Sequence, residues 1–133
     1  DCGVQALLFI TLCRCVGIPA CWQAGLYVTP QDIGNHDWAR FYIAPYGWLY
    51  ADCSFGGSAY RNGDQERWQY YFGHLDPFRM PANSEYQYDL YPPKQFIRQD
   101  PYDNQTGEAE FEDRGLYLDE YDLHLEVLEI KKV

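Results

Sequence analysis

The chain has 133 residues, one domain's worth, with 47% hydrophobic and 23% charged residues, an ordinary balance for a globular protein. Its formal charge of −10 lacks the basic footprint that phosphate binding needs, which argues against nucleic acid as a partner. No stretch reaches the roughly 18 apolar residues of a membrane span, since the run Val4 to Val16 is interrupted by Gln5, Thr11 and Arg14.

The first element is a helix. Asp1 is an N-cap type of residue, and Gly17 with Pro19 marks a helix stop. The residues between are apolar almost all round, a pattern that predicts a central helix covered on most sides. The segment 21–29 ("CWQAGLYVT") alternates Trp22, Ala24, Leu26 and Val28 against Gln23 and Tyr27 and predicts a strand. Segments 36–43 ("HDWARFYI") and 48–52 ("WLYAD") flank Pro45-Tyr46-Gly47 and predict a hairpin. "SFGGSAYRNGD" is glycine-rich and reads as a loop. Beyond it come a short irregular or helical piece, a proline-punctuated loop and a strand near 85–91. From Asp100 onward lie more than half of the chain's 20 carboxylates, with Arg114, Lys131 and Lys132 as the basic residues. In that tail "LHLEVLEI" alternates as a closing strand would. The acidic residues Asp100, Asp103, Glu108 and Glu110 offer hard oxygens to a cation, but without the spacing of a calcium loop they read as a solvated acidic loop.

Five cysteines leave an odd thiol if all pairing is internal, and no C-x-x-C pair is present, so no structural metal site is expected. Cys13 and Cys15 lie inside the apolar run, where desolvation disfavours the thiolate, and read as packing. Cys2 falls in the first helical turn, where the dipole and unsatisfied N–H groups favour a thiolate and can polarise a carbonyl. A cysteine nucleophile needs a base, and the base needs an orienting acceptor. His36 opens one hairpin strand and Asp52 ends the other. If Tyr42 pairs with Trp48, Asp52 is the diagonal neighbour of His36 on one face, with backbones about 7–8 Å apart. A loop one residue shorter would put the two on opposite faces. His74 has Asp76 close by in a loop, and His124 sits between Leu123 and Leu125; both read as unremarkable surface residues. Trp38, two positions after His36, shares its strand face and is a candidate cleft-lining residue, although aromatics in such strands are commonly core.

The order of these features is recognisable: a cysteine heading an apolar helix, "LCRCVGIPA", the strand "CWQAGLY", His-Asp-Trp-Ala at a strand start, then "YGWLYADCS". This arrangement resembles the transglutaminase-like domain, a papain-related superfamily. The strings "HDWARFYIAPYGWLYADCSFGGS", "YYFGHLDPFRMPANSEY" and "DPYDNQTGEAEFEDRGL" are similar to a bacterial branch of it. The resemblance implies an α+β fold in which the cysteine-bearing helix packs against an antiparallel β-sheet. It implies Cys2 as nucleophile, His36 as general base and acid, and Asp52 as the residue orienting the imidazole, with no cofactor. The implied chemistry is acyl transfer on an amide of a protein or peptide substrate, with hydrolysis favoured over cross-linking.

Two departures stand out. The family has Arg where Cys21 stands. The chain also starts with Asp1, not Met, one residue before Cys2. The expectation is a single domain over residues 1–133, with core motifs in 1–56 and a family-specific extension in 57–133. On this reading it is a fragment without the N-terminal elements that supply a second oxyanion donor. The alternative is a non-catalytic module of the same fold that binds a protein or a cell-wall glycan. Compartment, oligomeric state and substrate are not read from the sequence.

Overall fold

The computed structural model describes residues 1–87, 89–96 and 107–131. Asp1 caps the first helix through its Oδ1, which accepts from the Val4 N–H at 3.1 Å, and α1 spans Cys2–Cys15. It ends at Val16, and Gly17 follows with φ +81°, a conformation that favours glycine. Strands β1 (Ala20–Val28), β2 (Ile33–Ile43) and β3 (Gly47–Ala51) follow. Helices α2 (Cys53–Arg61) and α3 (Gln65–Tyr70) then precede β4 (Phe72–Gly73) and β5 (Arg79–Asn83). The strands form one antiparallel sheet in the order β4-β3-β2-β1-β5. The fold is therefore α+β, as expected.

One face of the sheet presents Ala20, Trp22, Ala24, Ala39, Phe41 and Ala51, which pack with Ala6, Ile10 and Cys13 of α1 into the core. The alanines let the helix approach closely, and Phe9 and Phe72 extend the packing through edge and stacked contacts with Phe41. The expected cover of α1 on most sides does not hold. Val4, Leu8, Leu12 and Val16 are exposed along one stripe, and Cys15, read as packing, is exposed too. An apolar pattern reports affinity for a partner surface, and the elements described here cover only one side of the helix.

Three further expectations are corrected. The glycine-rich stretch after Asp52 is a helix. Asp52 Oδ1 accepts from the N–H groups of Ser54 and Phe55, which nucleates the first turn, and Gly56 lies where an added Cβ would stand 3.3 Å from Tyr71 Cβ. The glycines are a packing requirement as much as a helix penalty. The strand expected near 85–91 lies instead at Arg79–Asn83, inside the proline-punctuated stretch. Pro81 is tolerated there because β5 is an edge strand and the ladder to β1 bulges between Ala24 and Gly25. Gly25 is needed at that point: a Cβ would come 2.1 Å from the Met80 carbonyl oxygen. Finally, 123–130 forms no strand. Alternation makes a strand only where a neighbour supplies backbone hydrogen bonds, and Leu123, Leu128 and Ile130 are exposed. Asp100 and Asp103 of the acidic stretch lie outside the described residues.

Candidate active site

The hairpin register is the one that brings His36 and Asp52 to a common face. Tyr42 pairs with Trp48, and the ladder runs on through Ala39 with Ala51. Asp52 follows immediately as the N-cap of α2, and its own N–H donates to the Tyr71 carbonyl at 3.0 Å. His36 Nε2 lies 2.8 Å from Asp52 Oδ2. Both residues are deeply buried, at 3% and 1% exposure. The imidazole is packed by Phe55 at 4.4 Å between ring centroids and by the edge of Tyr27 at 6.0 Å. Tyr27 lies over Gly34, where any Cβ would meet its ring within 3 Å.

Asp52 therefore has two occupied oxygens. Oδ1 takes the two helix N–H groups, and Oδ2 takes His36 and an ion-pair contact from Arg79 Nη1 at 2.8 Å, which is not an aligned hydrogen bond. Burial alone would raise the Asp52 carboxyl. The hydrogen bond and charge of His36, the Phe55 N–H and the Arg79 charge outweigh it, holding the carboxyl below the ordinary range. An ionised Asp52 accepts from Nε2–H, the tautomer that leaves Nδ1 as the basic nitrogen.

Arg79 is absent from the sequence reading. Its Nε and Nη2 donate to Asp76 Oδ2 at 2.9 and 2.8 Å, and its guanidinium carbon lies 4.6 Å from the Phe55 ring centroid. The signal that was available is the pair Asp76 and Arg79 three residues apart, in the stretch where His74 drew the attention. His74 itself stacks on Tyr70 at 5.5 Å, while Asp76 accepts from Tyr71 and Arg79.

Cys2 is the first residue of α1 and is half-buried. Its Sγ donates to Asp37 Oδ2 at 3.2 Å. Asp37 and His36 are consecutive in β2, so their side chains leave opposite faces of the sheet. Asp37 lies on the α1 side with Ala39 and Phe41, whereas His36 and Trp38 face Phe55 and Arg79. Two of the three expected residues are thus joined directly, and the third rests on the strand neighbour of the histidine.

Trp38 does not line a cleft. It is fully buried (0% exposed), lies under the Arg79 guanidinium, and donates from Nε1 to Gln23 Oε1 at 2.8 Å. The sheet face it shares with His36 is covered, so a tryptophan there serves packing. Cys53, next to Asp52, is pushed up to about 11 by burial first and then by the Asp52 carboxylate, which keeps it a thiol at neutral pH.

Residues 1–53 match the family model of the transglutaminase-like superfamily. That segment, less than half of the chain, is similar to a transglutaminase-like core. Neither curated proteins nor solved structures gave a match. The superfamily works by cysteine-based acyl transfer, and its matched segment contains Cys2, His36 and Asp52 but ends before Arg79. No helix among the described residues is long and apolar enough to cross a membrane.

Proposed function

We propose that this transglutaminase-like chain is an acyl-transfer enzyme acting on amide bonds of a protein or peptide, with Cys2 as nucleophile, His36 as base and acid, and Asp52 as the orienting residue. The buried His36–Asp52 contact at 2.8 Å, in a segment that also places a cysteine at a helix head, is the observation that carries this reading. The reaction requires the head of α1 to move off Asp37 and round to the His36 side of β2, so that His36 Nδ1 can take the proton of Sγ. The thiolate attacks the amide carbonyl carbon, and the negative charge moves to the carbonyl oxygen near the first-turn N–H groups of α1. Collapse breaks the C–N bond, His36 protonates the departing amine, and a thioester remains on Cys2. Water, deprotonated by His36, then releases the acid and restores the thiol; an amine in its place would give a cross-link. Hydrolysis is the favoured outcome in this proposal.

A second reading has its own support. Cys2 Sγ bonded to a carboxylate on the far side of the sheet from His36 suits a non-catalytic module that keeps the fold and binds a protein or a cell-wall glycan. Alkylation with iodoacetamide across pH, mapped by mass spectrometry, separates the two. The enzyme is expected to label at Cys2 below pH 7, ahead of the exposed Cys15 and of Cys21 and Cys53, and to lose that preference in His36→Ala. Labelling of Cys2 no faster than Cys21, with no effect of His36→Ala, would remove the catalytic reading.

A further inference from the structure

The candidate catalytic pair does not stand alone. Behind Asp52 lies a cation from outside the matched segment, buried to 4% side-chain exposure and held between two carboxylates. We infer that Arg79 is the positioning residue of the His36–Asp52 pair: clamped by Asp76 and stacked over Phe55, it fixes the Asp52 carboxylate so that Oδ2 faces the His36 Nε2–H.

Each link is visible. Asp76 is itself fixed, because Oδ1 accepts from the Phe78 N–H at 3.0 Å and Oδ2 accepts from the Tyr71 hydroxyl at 2.9 Å. The guanidinium reaches Asp76 through two nitrogens and Asp52 through the third. A planar fork can bridge two carboxylates while its face lies on aromatic rings, and Trp38, Phe55 and Tyr71 supply those rings at 5.5, 4.6 and 5.6 Å. Lysine could supply the charge but not both bonds and the stack. Arg79 touches no reacting atom, so its role runs through Asp52.

The charges around the pair come from several elements. β1 contributes Tyr27, whose hydroxyl donates to Asp32, and α3 contributes Arg67, 6.0 Å from the Phe55 ring. Cys53 adjoins Asp52 on α2, and Asp37 lies on the other face of β2. Arg79 is the cation in direct contact with Asp52. Without it, the buried Asp52 carboxylate loses its neutralising cation while the half-buried Asp76 carboxylate stays nearby, and protonation of Asp52 becomes easier.

The inference rests on the catalytic reading of His36 and Asp52, and its test reads the pair without turnover. The proton on His36 Nε2, hydrogen-bonded to a buried carboxylate, gives a downfield resonance whose loss on acidification reports the pair. In Arg79→Gln that loss is expected at a pH about one unit or more above that of the wild type. Arg79→Lys is expected to keep the resonance with a smaller displacement. If the glutamine variant does not fold, Asp76→Asn, which opens the clamp, is expected to move the loss in the same direction. A resonance lost at the wild-type pH in a folded Arg79→Gln, or in Asp76→Asn, would overturn the inference whatever happened to thermal stability. A displaced resonance together with Cys2 alkylation indifferent to His36→Ala would leave Arg79 its role and remove acyl transfer.

Discussion

Replacing Cys2 by Ala is expected to lower kcat/KM on a fluorogenic peptide amide by about 10⁴-fold or more, with the fold retained. The side chain is half-buried at a helix end, so little packing is lost. Its sulfur is the one atom in the proposed mechanism that bonds covalently to substrate, and neither Cys13 nor Cys53 is suited to take its place. Cys13 is buried on α1, where desolvation raises its thiol, and Cys53 stands at about 11. His36→Ala is expected to cost a comparable factor, and the double variant no more than either alone, because the two act in the same step. Turnover within tenfold of the wild type in Cys2→Ala would place the chemistry elsewhere.

Asp52→Ala is expected to be the most destabilising single substitution at the site. It removes a helix cap, about 0.5–2 kcal/mol. It also breaks one side of a buried ion network and leaves Arg79 with a vacant contact, a loss of about 3–5 kcal/mol when a buried partner is removed. The two effects share one carboxylate and are not simply additive. Asp52→Asn keeps an N-cap side chain and is expected to fall between Ala and wild type in chemical denaturation, while still impairing catalysis. The same carboxylate sets an acid limit. Its folded value lies below the unfolded one, so its contribution is complete above the unfolded carboxyl range near pH ~4 and is lost as pH falls through the folded value. Asp76, also held low, adds in the same sense. Asp52→Ala should therefore lose less stability than wild type between pH 5 and pH 3. Equal acid sensitivity of the two would show that Asp52 is not held low in the fold.

The sequence was most informative where local chemistry and spacing agree. Asp1 and Gly17 bracket α1 because capping and positive φ are local requirements. The pairing of Tyr42 with Trp48 is one of the two registers the sequence allows, and it carries His36 and Asp52 to the same face. What escaped was long-range. Whether the glycine-rich stretch is a loop or a helix depends on packing such as that of Tyr71 against Gly56, fifteen residues away. Arg79 meets Asp52 only because β5 adds to the far edge of β1, a pairing that bulges around Gly25 and shows no period-two signal. Trp38 shares a strand face with His36, but periodicity gives the face without saying what covers it. The alternation in 123–130 failed for the converse reason, since a pattern suited to a strand found no neighbouring ladder.

The central claim is that Cys2 carries the acyl group, and the thioester itself is the species to look for. Brief mixing with p-nitrophenyl acetate, an activated acyl donor, followed by acid quench and peptide mapping, reads it directly. The predicted result is a single acetyl group on Cys2, formed rapidly in the wild type, slowly in His36→Ala and not at all at that position in Cys2→Ala. Acetyl groups spread over Cys15 and Cys21 with none enriched on Cys2, at a rate unaffected by His36→Ala, would contradict it.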